Sequence, residues 1–335
     1  MMNMKQWLED MKASPVKKAM PVLSFPSTQL LGITVKELVM DSSLQAKGMK
    51  AVADRVPSSA SVSMMDLSIE AEAFGSQVRF SDDEVPTIIG HIAQSQEEAD
   101  ALAVPSVGAG RTGICVEAIR QACELITDRP VFAGVIGPFS LAGRLIGVSD
   151  AMIFCYDDPD MVHTILKKAT AFLIEYIKAY KAVGAAGVVM AEPLAGLLPP
   201  AMNAEFSLPY VKEIRDAVED DSFLLAYHNC GDAVPRQLDD LAELNLSIYH
   251  IGNATPMKLA LEHLPTTSLV MGNVDPAAEF CNGTVDSIRT ATHTVLEECA
   301  EFPNFVISSG CDIPPASKWE NIDAFFQEVE KFYHK

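Results

Sequence analysis

Eight apolar runs alternate with helical patterns along this chain, and that alternation constrains its fold more than any other feature. The runs lie at residues 21–25, 61–67, 131–136, 187–191, 223–227, 247–251, 269–272 and 305–308. They are continuously apolar rather than alternating apolar with polar. A strand of that kind is covered on both faces, as in a parallel sheet walled by helices. Between the runs, apolar residues recur at helical spacing. The clearest stretch spans 160–183, where Val162, Ile165, Leu166, Ala169, Phe172, Leu173, Tyr176 and Tyr180 form one stripe. Asp157-Asp158-Pro159 opens it and Gly184 closes it, as helix-capping chemistry requires. Further helices are expected over 113–127, 203–219, 234–245, 285–298 and 318–332. Eight strand–helix units place the chain in the α/β class and predict a (β/α)8 TIM barrel. A doubly wound open sheet is the alternative.

The size and composition suit that expectation. The chain has 335 residues, 49% hydrophobic and 21% charged, enough for one large core. A single barrel domain over 1–335 is expected, with residues 1–20 as an N-terminal helical extension. The formal charge of −20 argues against nucleic acid, which needs a basic face. No run approaches 18 apolar residues and the first ten residues lack a signal-peptide core, so a cytoplasmic chain with no membrane contact is expected. Its seven cysteines are scattered and odd in number, which favours burial or metal binding over a disulfide framework. The acidic runs Asp82-Asp83-Glu84 and Glu97-Glu98-Ala99-Asp100 read as solvated charges. Homodimerisation is compatible with a barrel of this size.

Polar residues collect just beyond the C-terminal ends of the runs, where a barrel keeps its chemistry. Asp66 ends the second run, and Glu192 follows the fourth. His228 and Cys230 end the fifth, Asn253 follows the sixth, and Asn273 and Asp275 follow the seventh. Cys311 and Asp312 follow the eighth. Residues two apart on a strand share a face, so His228 and Cys230 project together. One imidazole and two thiols make a soft donor set suited to zinc, and three protein ligands leave the fourth position that a catalytic site uses. The same residues also fit a buried core pair and an inert thiol. The segment Gly108-Ala109-Gly110-Arg111-Thr112-Gly113 has dinucleotide-fingerprint spacing, but the stretch before it contains Pro105 and makes a poor strand.

Five segments together resemble the uroporphyrinogen decarboxylase superfamily, and within it the corrinoid-linked zinc methyltransferases. They are Gly134-Val135-Ile136-Gly137-Pro138-Phe139-Ser140-Leu141-Ala142, Ala191-Glu192-Pro193-Leu194-Ala195, His228-Asn229-Cys230-Gly231, Gly272-Asn273-Val274-Asp275-Pro276 and Ser309-Gly310-Cys311-Asp312-Ile313-Pro314. The resemblance implies zinc held by His228, Cys230 and Cys311, with Glu192 as a displaceable fourth ligand or a support for the histidine. From their rim positions, Asp66, Asn253, Asn273 and Asp312 are candidates to orient the substrate, with Glu192, Asp66 and Asn273 expected to be catalytic, and each of the four rim residues equally fits turn or strand-end capping. The resemblance also implies a partner corrinoid protein that carries the cobalamin. Decarboxylases of the superfamily open with an arginine-rich segment, whereas Phe25-Pro26-Ser27-Thr28-Gln29-Leu30-Leu31-Gly32 contains no arginine, so porphyrinogen decarboxylation is not expected.

Two methyl transfers fit such a site. In one, a phenyl methyl ether or similar donor gives its methyl group to the cob(I)alamin of the partner. In the other, a methylated corrinoid gives it to a thiol of the coenzyme M type. Apolar segments near the expected mouth (Met64-Met65, Phe74, Leu194 and Leu197-Leu198-Pro199-Pro200) favour the ether, because they suit an aromatic ring. A sulfonated thiol calls for a cation, for which Arg111 and Arg144 are the candidates. A tetrapyrrole-binding barrel with a structural zinc is the alternative from another class.

Overall fold

The computed structural model describes residues 2–334 and shows a parallel sheet curled into a barrel. Seven strands hydrogen-bond in the order β1-β4-β5-β6-β7-β8-β9. They are β1 Ser61–Val62, β4 Val131–Ile136, β5 Gly187–Ala191, β6 Leu224–Asn229, β7 Ile248–Ile251, β8 Leu269–Val274 and β9 Phe305–Ser309. A separate antiparallel hairpin, β2 Gln77–Arg79 with β3 Thr87–Ile89, follows β1.

The eighth stave is the first apolar run, but it forms no ladder. Ser59 N–H donates to the Ala19 carbonyl at 2.9 Å, and Met20 N–H donates to Ile307 at 3.0 Å. Ser308 Oγ donates to the Met20 carbonyl at 2.8 Å, and Val22 N–H donates to Ser309 Oγ. Residues 19–22 thus bridge the gap between β1 and β9 through single bonds. Pro21 has no N–H to contribute, so the segment cannot pair as a continuous strand. The expected strand at 61–67 likewise shrinks to two residues, after which the backbone turns toward the mouth.

Strand parity explains the continuous apolar runs. Leu224 and Ala226 of β6, and Leu269 and Met271 of β8, point into the barrel, where they pack with Phe132, Val189 and Val306. Their neighbours Leu225, Tyr227 and Val270 point outward and pack against the helical layer. Both faces of each strand are therefore buried. The N-terminal helix Met4–Ala13, capped by Asn3, sends Met4 and Leu8 into the inner cluster with Trp7 alongside. It plugs the barrel's N-terminal end.

The helical expectations are met with local breaks. The long helix is Pro159–Ala182, with Asp158 accepting from Met161 N–H. The expected helix at 203–219 is two helices, Pro200–Phe206 and Leu208–Val218, because Pro209 lacks the N–H that would carry the ladder through Ser207. The expected helix at 234–245 is instead the 3-10 turn Val234–Arg236 followed by the short helix Leu238–Ala242. Among the described residues, no single helix is long and apolar enough to cross a membrane.

Candidate metal centre

The inward parity of β6 runs Leu224, Ala226, His228, so the imidazole is the last inward side chain before the strand ends. His228 is buried. Its Nδ1 lies 3.2 Å from the His250 carbonyl, a group that only accepts, so Nδ1 carries the proton and Nε2 is left with a free lone pair. Nε2 lies 3.3 Å from Cys311 Sγ. The donor atoms of His228, Cys230 and Cys311 all lie within 4.8 Å of one another. A backbone carbonyl that fixes the tautomer of a histidine with a free Nε2 is the usual support for a metal-binding imidazole.

The two thiols differ in acidity because they share a proton. The hydrogen bond from Cys230 holds the Cys311 thiol well below the usual range. The same bond, together with burial, pushes Cys230 up. Two thiolates this close repel each other, and a dication between them removes that conflict. The donor set therefore fits a thiophilic divalent metal, held by His228, Cys230 and Cys311.

Loops from neighbouring strands close around these ligands. A Cβ on Gly252 would stand 2.4 Å from both Cα and Cβ of Cys230, so the loop after β7 approaches the cysteine as only glycine allows. Asn273 fixes that loop, donating from Nδ2 to the carbonyls of Gly252 at 3.0 Å and Thr255 at 2.7 Å. Asn253 donates to Asp275 at 2.9 Å, and Asp275 caps the turn at Ala277 and Ala278. Asp312 accepts from Met65 N–H at 2.9 Å, tying the loop that carries Cys311 to the loop after β1.

The remaining expected site residues stand outside the triad. Glu192 is fully buried, and its carboxylate is turned onto the first turn of helix Pro138–Ile146. There it accepts from the amides of Phe139 and, at 2.9 Å, Ser140. The positive helix end favours the anion, yet burial pushes its carboxyl up to about 7. A Cβ on Gly137 would lie 2.5 Å from the Glu192 carboxyl carbon. The segments around Gly137-Pro138 and Glu192-Pro193 are thus one structural unit. Asp66 is also enclosed by protein. Its Oδ1 accepts from the amide and hydroxyl of Ser68, and its Oδ2 is ion-paired with Arg111. Arg111 comes from the glycine-spaced segment, which follows irregular backbone rather than a strand.

Sequence reasoning passed over His250. It lies in β7, fully buried, with its ring centroid 4.5 Å from that of His228. The signal was an ionisable residue inside an otherwise apolar run.

The fold and site define an α/β barrel with a His/Cys/Cys constellation on its C-terminal rim. Comparison with known proteins places it further. The family profile for uroporphyrinogen decarboxylase (URO-D) matches residues 9–332, and the chain belongs to that family. It is 28% identical over 272 residues to the methylcobamide:CoM methyltransferase MtbA of Methanosarcina acetivorans, covering 80% of this chain and 78% of that protein. It is 26% identical over 319 residues to the uroporphyrinogen decarboxylase of Hydrogenovibrio crunogenus, covering 90% and 85%. Among solved structures, a methyltransferase from Methanosarcina mazei superposes with a TM-score of 0.86 at 25% identity, covering 99% of this chain and 98% of that one.

Proposed function

We propose that this protein is a zinc-dependent methyltransferase that moves a methyl group between the corrinoid of a partner protein and a small molecule. The observation that carries the reading is the convergence of His228, Cys230 and Cys311 on the barrel mouth, in a chain similar to methylcobamide:CoM methyltransferases. That similarity weights a thiol acceptor over an ether donor. In the net reaction the thiol sulfur gains the methyl group and loses its proton, and the electron pair of the cobalt–carbon bond stays with the corrinoid.

When bound, zinc supplies Lewis acidity that lowers the pKa of a thiol or polarises an ether oxygen. The chain's own residues do the rest. His228 presents Nε2 in a fixed tautomer because the His250 carbonyl holds Nδ1. Cys230 and Cys311 supply negative charge from two separate strands, which fixes the donor spacing. Asn273 and Gly252 brace Cys230, and Asp312 braces the loop of Cys311. Asp66, Glu192 and Asn273 would act by positioning this frame, with Glu192 anchoring the helix that walls the mouth. A cytoplasmic location suits a thiolate centre that oxidation would destroy.

Decarboxylation of a porphyrinogen is the less suitable reading. The segment from Phe25 to Gly32 forms helix Ser27–Leu31 and brings no arginine to meet substrate carboxylates. The deciding experiment loads the purified protein with zinc and supplies methylcobalamin with a thiol, then cob(I)alamin with a phenyl methyl ether. Methyl transfer in the first pairing supports the thiol reading, and transfer only in the second supports the ether. Transfer in neither, with zinc bound, rejects the methyltransferase reading.

A further inference from the structure

Cys230 and Cys311 bring two free thiols together at the barrel mouth. They follow β6 and β9, which are separated in the sheet by β7 and β8. Their sulfur atoms lie within 4.8 Å of each other and share a hydrogen bond. Both residues are half-buried at the open rim, whereas Cys115, Cys155 and Cys299 are enclosed in the core.

Gly252 lets the two loops meet. A Cβ there would stand 2.4 Å from Cys230 Cα and 3.2 Å from the carbonyl oxygen of Gly310, the residue before Cys311. The backbones that carry the two thiols therefore pack against the same glycine. A disulfide needs backbones that approach closely, with Cα atoms roughly 4.4–6.8 Å apart, and this shared contact brings the pair together. A solitary thiol oxidised by a peroxide passes through a sulfenic acid to a sulfinic acid, which does not revert. A second thiol within reach intercepts the sulfenic acid as a disulfide, and a reducing thiol reverses that.

We propose that Cys230 and Cys311 form a reversible oxidation site: a hydroperoxide converts the pair to a disulfide, and the centre thereby gives up its metal. One sulfur attacks the peroxide, so that an S–O bond forms, the O–O bond breaks and the departing oxygen takes up the thiol proton. The second sulfur then attacks the first. The S–S bond forms, the S–O bond breaks, and the sulfenic oxygen leaves as water with the second thiol's proton. The peroxide gains two electrons and the sulfurs lose them. Metal ligation needs thiolates, so the bridged form keeps only His228 as a ligand. The frame outlasts the change. His228 stays held by the His250 carbonyl, and Asp312 still ties down the loop of Cys311, so reduction restores a prepared site. The disulfide rests on the two thiols alone, and the release of metal rests on the zinc reading of the same site.

Metal-free, reduced protein is exposed to hydrogen peroxide, capped with N-ethylmaleimide and digested without reductant. Mass spectrometry should find the peptides of Cys230 and Cys311 joined, and dithiothreitol should separate them. Cys230→Ser should form no bridge and leave Cys311 at the sulfinic stage, with circular dichroism checking its fold. Should that variant unfold, Cys311→Ser gives the same comparison. In zinc-loaded protein, peroxide should release the metal to a chromophoric indicator as the bridge forms, and the bridged form should bind zinc at least ~100-fold more weakly than the reduced one. A wild type that forms no Cys230–Cys311 bridge overturns the proposal. So does a bridged protein that holds zinc as tightly as the reduced one. If the bridge forms but the reduced protein binds no zinc, the oxidation site stands and the metal reading fails.

Discussion

His228 and His250 lie ring against ring on adjacent strands, 4.5 Å between centroids, and the backbone of one orients the imidazole of the other. His250 Nε2 is 2.7 Å from the Ser309 carbonyl, so that nitrogen carries the proton. Burial holds its pKa well below the usual imidazole range, with His228 adding to the effect, and the ring is neutral. His250→Phe keeps the ring and removes the donor to Ser309. It should cost about 1–3 kcal/mol in urea denaturation, and it should weaken metal binding by loosening the neighbour of His228.

Removal of the metal separates catalytic from structural roles. A chelator, or Cys311→Ala, should abolish methyl transfer while lowering the melting temperature by less than ~5 °C. The core beneath the triad is continuous without it. Loss of far-UV circular dichroism on chelation would instead make the zinc structural and support the tetrapyrrole-binding alternative.

The loop after β7 tests how closely the ligands are braced. Gly252→Ala places a methyl group against Cys230. Competition with a chromophoric chelator should show zinc affinity reduced by about 10–100-fold, the range seen when a ligand's supporting groups are disturbed. A variant that binds zinc as tightly as the wild type would show that this loop yields freely.

Glu70 gives the protein a pH dependence of definite sign. It is buried, with Oε1 accepting from Ile136 N–H at 3.0 Å and Oε2 without a partner. Burial pushes its carboxyl up to about 7. The folded state therefore holds a proton that the unfolded chain releases near the ordinary carboxylate pKa. Its contribution to stability is full below that value and is lost as pH rises toward 7. Glu70→Gln should match the wild type near pH 4 and exceed it by roughly 2–3 kcal/mol at pH 8. Glu192 acts in the same direction and leaves a residual slope in the variant.

The Asp66–Arg111 pair is buried on both sides, at 0% and 3% side-chain exposure. Arg111→Ala leaves the carboxylate stranded and should cost about 3–5 kcal/mol. Combining Arg111→Met with Asp66→Asn should recover part of that loss. If Asp66→Asn instead leaves stability intact and abolishes turnover, Asp66 meets the substrate directly.

Much of this was legible in the sequence, for definite physical reasons. Strands buried on both faces read as continuous apolar runs, so β4 to β9 were visible within a few residues. Parity at residues 228 and 230 put both donor side chains at one strand end, and the structure brings Cys311 from the rim beside them. The orientation of Glu192 was not legible. Its carboxylate turns toward the helix start at Pro138, more than fifty residues away in sequence, and no local pattern encodes that. The hairpin β2–β3 was missed because its residues are largely exposed and lack a buried face. Arg111 and Arg144 were indistinguishable as sequence, because what separates them is whether a carboxylate from another segment arrives beside them.

The N-terminal helix has a consequence for traffic. By stopping the base of the barrel with Met4 and Leu8, it leaves the vessel with a single doorway. On the methyltransferase reading both reactants then share one threshold, and whichever arrives last closes the other in.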